Sequence, residues 1–333
     1  MLPFPSAATL WLFLLLLLAV YSHVLMIRIA GYNDWKTVAL TLPVTLTFGP
    51  LFLNVTLGQN GIVLLLSALL LGEILRGGSK GFQISAVAMW VVAVAAKVYP
   101  VLWVGSLLLA RRWRTFAVAI SLCFVAFGMM ALLEPEISAD YWFDFLPGRT
   151  RQFATGVSID DQSLNGFLSR VGTSNSYTFP GLNIQDRHEV TWSWPWDFSA
   201  QSIRYFSSVL LLILGALLMF CWIQNNAKEP EGILYSLVLF SLLLFPNMGR
   251  YNHVLALPAM AWLWKQKTPY RKLTVIAYGL FALSRLNHLW ALFPSPIGPL
   301  ASGFGLFGVL IVILGLSYSL SHLKGTSQTD QVE

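Results

Sequence analysis

The chain has 333 residues, of which 56% are hydrophobic and only 11% charged. Those proportions, with a mean hydropathy of +0.66, exclude a soluble domain and place it among polytopic membrane proteins. Its formal net charge of +6 does not point to nucleic acid, because the basic residues fall in short clusters between apolar runs, as topology-setting loops do.

Ser6 to Ile27 is the first apolar run. It has no basic region before it and no small-residue cleavage site after it, so it reads as a span and not as a signal peptide. Counting it, eleven runs occur, at 6–27, 38–57, 62–75, 82–96, 98–110, 115–133, 205–223, 233–245, 254–264, 273–293 and 303–321. Several are too short to cross a bilayer as straight helices, which takes roughly 20 residues. The short ones form two pairs, one flanking Lys97 and one flanking Pro246 to His253. The expected fold is therefore all-α, a polytopic transmembrane helical bundle of about eleven hydrophobic segments, two pairs of which are short hairpins.

Charge arbitrates the topology. With each pair as a hairpin, thirteen of the 21 basic residues fall in short loops on one side, which is assigned as cytoplasmic. A single transmembrane domain then covers 1–323, with a long outer loop at 134–204 and a disordered cytoplasmic tail at 324–333. That outer loop is rich in aromatics, Gly, Pro and Ser, and predicts short helices and turns on the bilayer surface. Its Trp192-Ser193-Trp194-Pro195-Trp196 stretch reads as an interfacial belt, with a sugar-stacking platform as the alternative.

Polar residues worth naming converge on the opposite, outer side. Lys97 is the one charged residue between Phe82 and Ala110, and Pro100 breaks the helix beside it. Lys97, Arg250 and Arg285 form a set able to neutralise a phosphate. The plainer alternative is that each snorkels to the interface or pairs with a loop carboxylate. Gln59, Asn60, Gln162, Ser163 and Asn165 are donors and acceptors of the kind that read sugar hydroxyls, although Gly58 to Gly61 reads equally as a simple turn and Asp161 as a helix cap. Metal and nucleotide cofactors have no support: the five histidines lack ligand spacing, and neither a Walker loop nor a dinucleotide fingerprint occurs. Cys123 and Cys221 lie inside apolar runs and read as packing residues. Asn54-Val55-Thr56 matches a glycosylation sequon but falls within a run, and is read as chance.

The order of the motifs carries more than any one of them. A Gly-Gln-Asn turn, a Lys-x-Tyr-Pro break followed by an Arg-rich turn, a long loop bearing Asp-Gln-Ser-Leu-Asn-Gly with a later Arg, and a late Pro-containing break together resemble glycosyltransferase family 87 of the C-type superfamily, whose members are similar to polyprenol-phosphate-mannose-dependent mannosyltransferases. The resemblance runs from Leu2 to about Pro258. It implies a polyprenyl-phosphate sugar donor, a glycolipid or glycan acceptor and a site on the outer face of a cytoplasmic membrane. Lys97, with Tyr99, would hold the donor phosphate; Gln59 and Asn60 match the first turn, and Gln162, Ser163, Asn165, Gly166 and Arg170 match the loop motif. In the superfamily the general base is an acidic residue of the first outer loop. Met1 to Pro5 resembles the segment entering the second helix, so the resemblance implies that a helix and that loop precede this sequence, with Asp160 or Asp161 as the substitute base otherwise. Family members often carry a tryptophan and paired histidines after the late proline; here Arg250-Tyr251-Asn252-His253 stands in that place, with His253 as a candidate donor contact. Two other readings stay open: a non-catalytic protein that binds lipid carriers, and a transporter or flippase.

Overall fold

The computed structural model describes residues 4–78, 80–145, 161–180, 187–194, 196–225, 229–245, 248–266, 268–290 and 293–322. Asp160, Pro246, Asn247 and the tail from 324 lie outside them, as do the side chains of Asn287 and His288.

The chain opens with α1 (Phe4–Ile29), α2 (Trp35–Leu46), α3 (Gly49–Thr56), α4 (Gly61–Leu75) and α5 (Lys80–Ala96). After a 3-10 turn at Tyr99–Val104 come α6 (Gly105–Leu109) and α7 (Trp113–Leu133). The long loop contributes α8 (Leu164–Gly172) and a two-stranded antiparallel ribbon, β1 (Asn175–Pro180) and β2 (Arg187–Trp192). Then follow α9 (Ala200–Asn225), α10 (Pro230–Leu244), a second 3-10 turn at Arg250–Ala256, α11 (Leu257–Lys265), α12 (Thr268–Ser284), α13 (Ile297–Ala301) and α14 (Phe304–His322). Among the described residues four helices are long and apolar enough to cross a membrane, and a fifth crossing results if the bent α2–α3 pair counts as one. The protein is an all-α polytopic bundle with one small ribbon.

Prolines set the interruptions. A proline lacks its N–H and clashes with the carbonyl four residues earlier. Pro50 therefore stops α2 at Leu46 and Pro100 stops α5 at Ala96. The 38–57 run, expected as one segment, is thus two helices bent by 72°. The 98–110 and 254–264 runs each begin as a 3-10 turn and widen into a short α-helix, the second with Pro258 in its first turn. The 273–293 run leaves the helix at Ser284, where the Trp290 indole donates to the Leu283 carbonyl (2.9 Å).

Both hairpins form. Along α10 the partners run backwards: the Tyr99 and Phe245 rings lie 5.9 Å apart, while Trp103 Nε1 donates to Ser241 Oγ at 3.2 Å. The chain after Lys97 therefore descends antiparallel to α10. Every residue of α4 except Glu73 is buried, as are most of α10, so these two form the centre. The outer faces of α7 and α9 expose Phe124, Leu132, Leu212 and Phe220, as lipid-facing helices do.

The bundle has two chemically distinct ends. At the end where α1, α4, α6 and α11 finish lie Arg28, Arg76, Arg111, Arg112 and Lys265. There Arg76 donates to Glu231 (2.9 Å) and to Glu73 (3.2 Å), tying α4 to α10. Replacing Glu231 by Ala should lower stability by about 2 kcal/mol, the worth of a largely buried charged hydrogen bond, read as a shift in thermal unfolding in detergent. At the other end Trp11 Nε1 donates to the carbonyl of Gly58 (2.9 Å), whose φ of +61° closes the turn into α4.

The long loop differs from the expectation of helices and turns by its ribbon. Trp192 is buried, its indole donating to the Phe293 carbonyl (3.1 Å), instead of lying in an interfacial belt. Trp194 and Trp196 stack at 5.4 Å and donate to the carbonyls of Arg170 and Val171, capping the end of α8.

Candidate active site

Lys97 ends α5 at the non-basic end. Its Nζ donates to Asn252 Oδ1 at 2.9 Å and sits 4.8 Å from the centre of the Tyr251 ring. Among the described residues no carboxylate lies within ion-pair distance, and two of the ammonium's three N–H donors have no protein acceptor. A cation over a ring contributes about 1–2 kcal/mol and one charged hydrogen bond about 1.5–3. Desolvating an ammonium costs several. These terms are of similar size, so its protein contacts leave Lys97 little net stabilisation.

Tyr99 closes the same pocket of side chains. It is buried against Trp103 and Phe245, and its hydroxyl reaches Asn252 Oδ1 at 3.4 Å. Because Lys97 can only donate, the Asn252 amide must turn its oxygen toward both. The break itself is satisfied from α5, where Trp90 Nε1 donates to the Pro100 carbonyl (2.8 Å).

The loop motif is built separately. Ser163 caps α8 by accepting from Gly166 N (3.1 Å). Asp161 Oδ1 accepts from the backbone N–H groups of Ser163 (2.9 Å) and Met248 (3.0 Å). A methyl group at Gly166 would overlap the Asp161 carboxylate, so glycine is required there. Arg170 is fully buried; it donates to the Asp161 carbonyl and to Ser302 Oγ (2.9 Å). Gln162 Nε2 donates to the Ser302 carbonyl (3.0 Å). Asn165 turns away, accepting from Ser207 Oγ of α9 (3.2 Å).

One short segment joins these parts. Met248 accepts from Gln162 N (2.8 Å) and donates to Asp161; the Tyr251 carbonyl accepts from Asn54 Nδ2 (2.6 Å); Asn252 holds Lys97 and Tyr99. Asn54 in turn lies against Gly61, where any side chain would overlap its amide, and so carries the contact to the Gln59-Asn60 turn. Three motifs far apart in sequence thus meet through residues 248–252.

The remaining candidates are placed as follows. Gln59 N donates to the Asn54 carbonyl (2.9 Å), and Asn60 begins α4 with its Oδ1 buried. Arg250 donates to the Arg285 carbonyl (3.1 Å), and the Arg285 guanidinium lies 4.4 Å from the centre of the Phe52 ring, so these two cations stand together on the exposed rim. His253 is fully buried against Phe281, with neither ring nitrogen bonded to the protein. No group of three or more metal-ligating side chains occurs among the described residues. The sequence reading missed Asn54, Tyr251, Asn252 and Met248. A lone amide inside an apolar run was the available signal for Asn54.

The fold and the site define the class: a polytopic helical membrane protein with a polar cluster gathered at one end around a lysine that has no carboxylate partner among the described residues. Over residues 1–246 the chain matches the model of glycosyltransferase family 87, and it belongs to that family of membrane glycosyltransferases. No curated protein and no solved structure matches it.

Proposed function

We propose that the protein moves a sugar, mannose in the first instance, from a polyprenyl-phosphate donor to a glycolipid or glycan acceptor at the outer face of a cytoplasmic membrane. The observation that carries this reading is Lys97: a part-buried ammonium with, among the described residues, two open donors at a break in the bundle. In the transfer the bond between the sugar C1 and a phosphate oxygen breaks, the acceptor hydroxyl oxygen bonds to C1, and its proton passes to a base. The departing lipid phosphate gains negative charge, and a fixed cation in a dry site stabilises that charge. Arg250 and Arg285 on the rim would guide the phosphate in. Gln59, Asn60 and Gln162 would face the sugar and acceptor. Asp161, with Oδ1 committed to two backbone N–H groups, serves to hold the 161–170 segment against 248–252.

Purified protein in nanodiscs, offered polyprenyl-phosphate mannose, polyprenyl-phosphate glucose and a mannose sugar nucleotide with glycolipid acceptors, tests the reading. Transfer from the lipid-linked mannose alone is expected. Direct use of the sugar nucleotide would sink it. The engagement of Asp161 favours one second reading, a lipid-carrier binder without turnover, for which the same assay gives saturable donor binding and no product.

A further inference from the structure

We propose that the groove at the basic end of the bundle binds one anionic glycerophospholipid, with an acyl chain between α1, α2, α11 and α12 and the phosphate on Lys265 and Arg271. This site lies at the end opposite Lys97, and nothing in it depends on the donor reading.

The groove has a volume of about 540 Å³. Six hydroxyls stand on its walls, that of Tyr32 near the mouth and five others that are bonded within the protein. Thr37 Oγ1 donates to Asp34 Oδ2 (2.7 Å), Thr41 Oγ1 to the Thr37 carbonyl (2.6 Å), Thr274 Oγ1 to the Tyr270 carbonyl (3.0 Å) and the Tyr278 hydroxyl to the Val44 carbonyl (3.0 Å). Thr45 Oγ1 pairs with Nδ1 of the buried His23 (2.9 Å), whose Nε2 meets the Val38 carbonyl (2.9 Å). Walls on which five of six hydroxyls are already bonded offer a ligand chiefly hydrocarbon contact, so they select an apolar chain over a sugar or peptide. From Thr37 to Thr45 the α2 wall is about 12 Å long, enough for a stretch of one acyl chain.

Charge at the mouth names the head group. Arg28, Lys36, Lys265, Arg271 and Lys272 are exposed at the four helix ends that surround it. The loops meet there: a side chain at Gly31 would touch the Lys265 stem. Arg271 Nε donates to the Trp264 carbonyl (2.9 Å), with its guanidinium 5.9 Å from the centre of the Trp264 ring, and Trp264 lines the groove. The acidic residue of this loop, Asp34, is exposed; hydrogen bonds from the Thr37 N–H and hydroxyl hold its carboxyl below the usual range and engage it in capping α2. Five cations around an apolar slot, in excess over Asp34 and over Glu229, which interacts with Lys265, fit a phosphodiester carrying a lipid chain.

Native mass spectrometry of the full chain, released from nanodiscs of equal phosphatidylglycerol and phosphatidylcholine, tests this. The parent should retain one phosphatidylglycerol in preference. The double variant Lys265→Gln, Arg271→Gln removes two exposed charges, with the Arg271 hydrogen bond to the Trp264 carbonyl, and should lower that preference roughly tenfold. Ala261→Phe, which fills the groove, should lose retained lipid of both kinds. Equal retention of the two lipids by the parent, or an unchanged ratio in the double variant, would overturn the site.

Discussion

Replacing Lys97 by methionine should lower sugar transfer by roughly 10²–10³, the usual cost of removing one group that stabilises developing negative charge. The fold should survive, because methionine has similar length and no charge to desolvate. Thermal unfolding should stay the same or rise, since Lys97 has one hydrogen bond and one ring contact against a desolvation cost of several kcal/mol. Turnover at saturating lipid-linked donor, measured beside a melting curve, separates the two effects. Transfer within a few-fold of the parent would remove Lys97 from the chemistry.

The second large effect concerns Asp161, and it discriminates between two roles. Asparagine keeps an oxygen that can accept from Ser163 N and Met248 N, so Asp161→Asn should retain activity within several-fold. Alanine strands two buried backbone donors, at about 1–3 kcal/mol each, and should cost most of the activity together with stability. A general base behaves otherwise: the Asn variant would then lose roughly 10²–10⁴ in rate at full stability. Paired kinetic and unfolding measurements on both variants decide the matter.

The expected segments matched the helices where the signal was local. A lysine and a proline inside an apolar run are visible to anyone reading in order, and they do mark a break. The run 38–57 shows the limit, because its apolar character continues through Pro50 while its helix does not. The ribbon was missed although Tyr177 and Phe179 alternate with Ser and Thr as a strand requires, because Trp192 at its end read as part of an interfacial belt.

The site was half legible for a related reason. A residue costly to bury in an apolar run, such as Lys97, announces itself, whereas Gln162 and Arg170 stood out through the resemblance of the loop motif. Their partners do neither: Asn252 stands 155 positions from Lys97, in a turn already crowded with polar residues. Met248 contributes only its main chain, which has no sequence signature at all. Asn54 was discounted as a chance sequon, yet it links the first turn to Tyr251.

The stapling of three motifs by residues 248–252 also sets an order of events during biosynthesis. Lys97 enters the nascent bundle long before Asn252 exists. At about 5–20 residues per second, roughly 8–30 s of translation separate the two. Throughout that interval the ammonium must be accommodated at the membrane boundary by water, lipid phosphate or the insertion machinery. A ribosome stalled before Met248 would leave a chain whose spans are largely made and whose three polar motifs have nothing to gather them. Assembly of the site is therefore a late step, governed by the arrival of one turn and not by the insertion of any span.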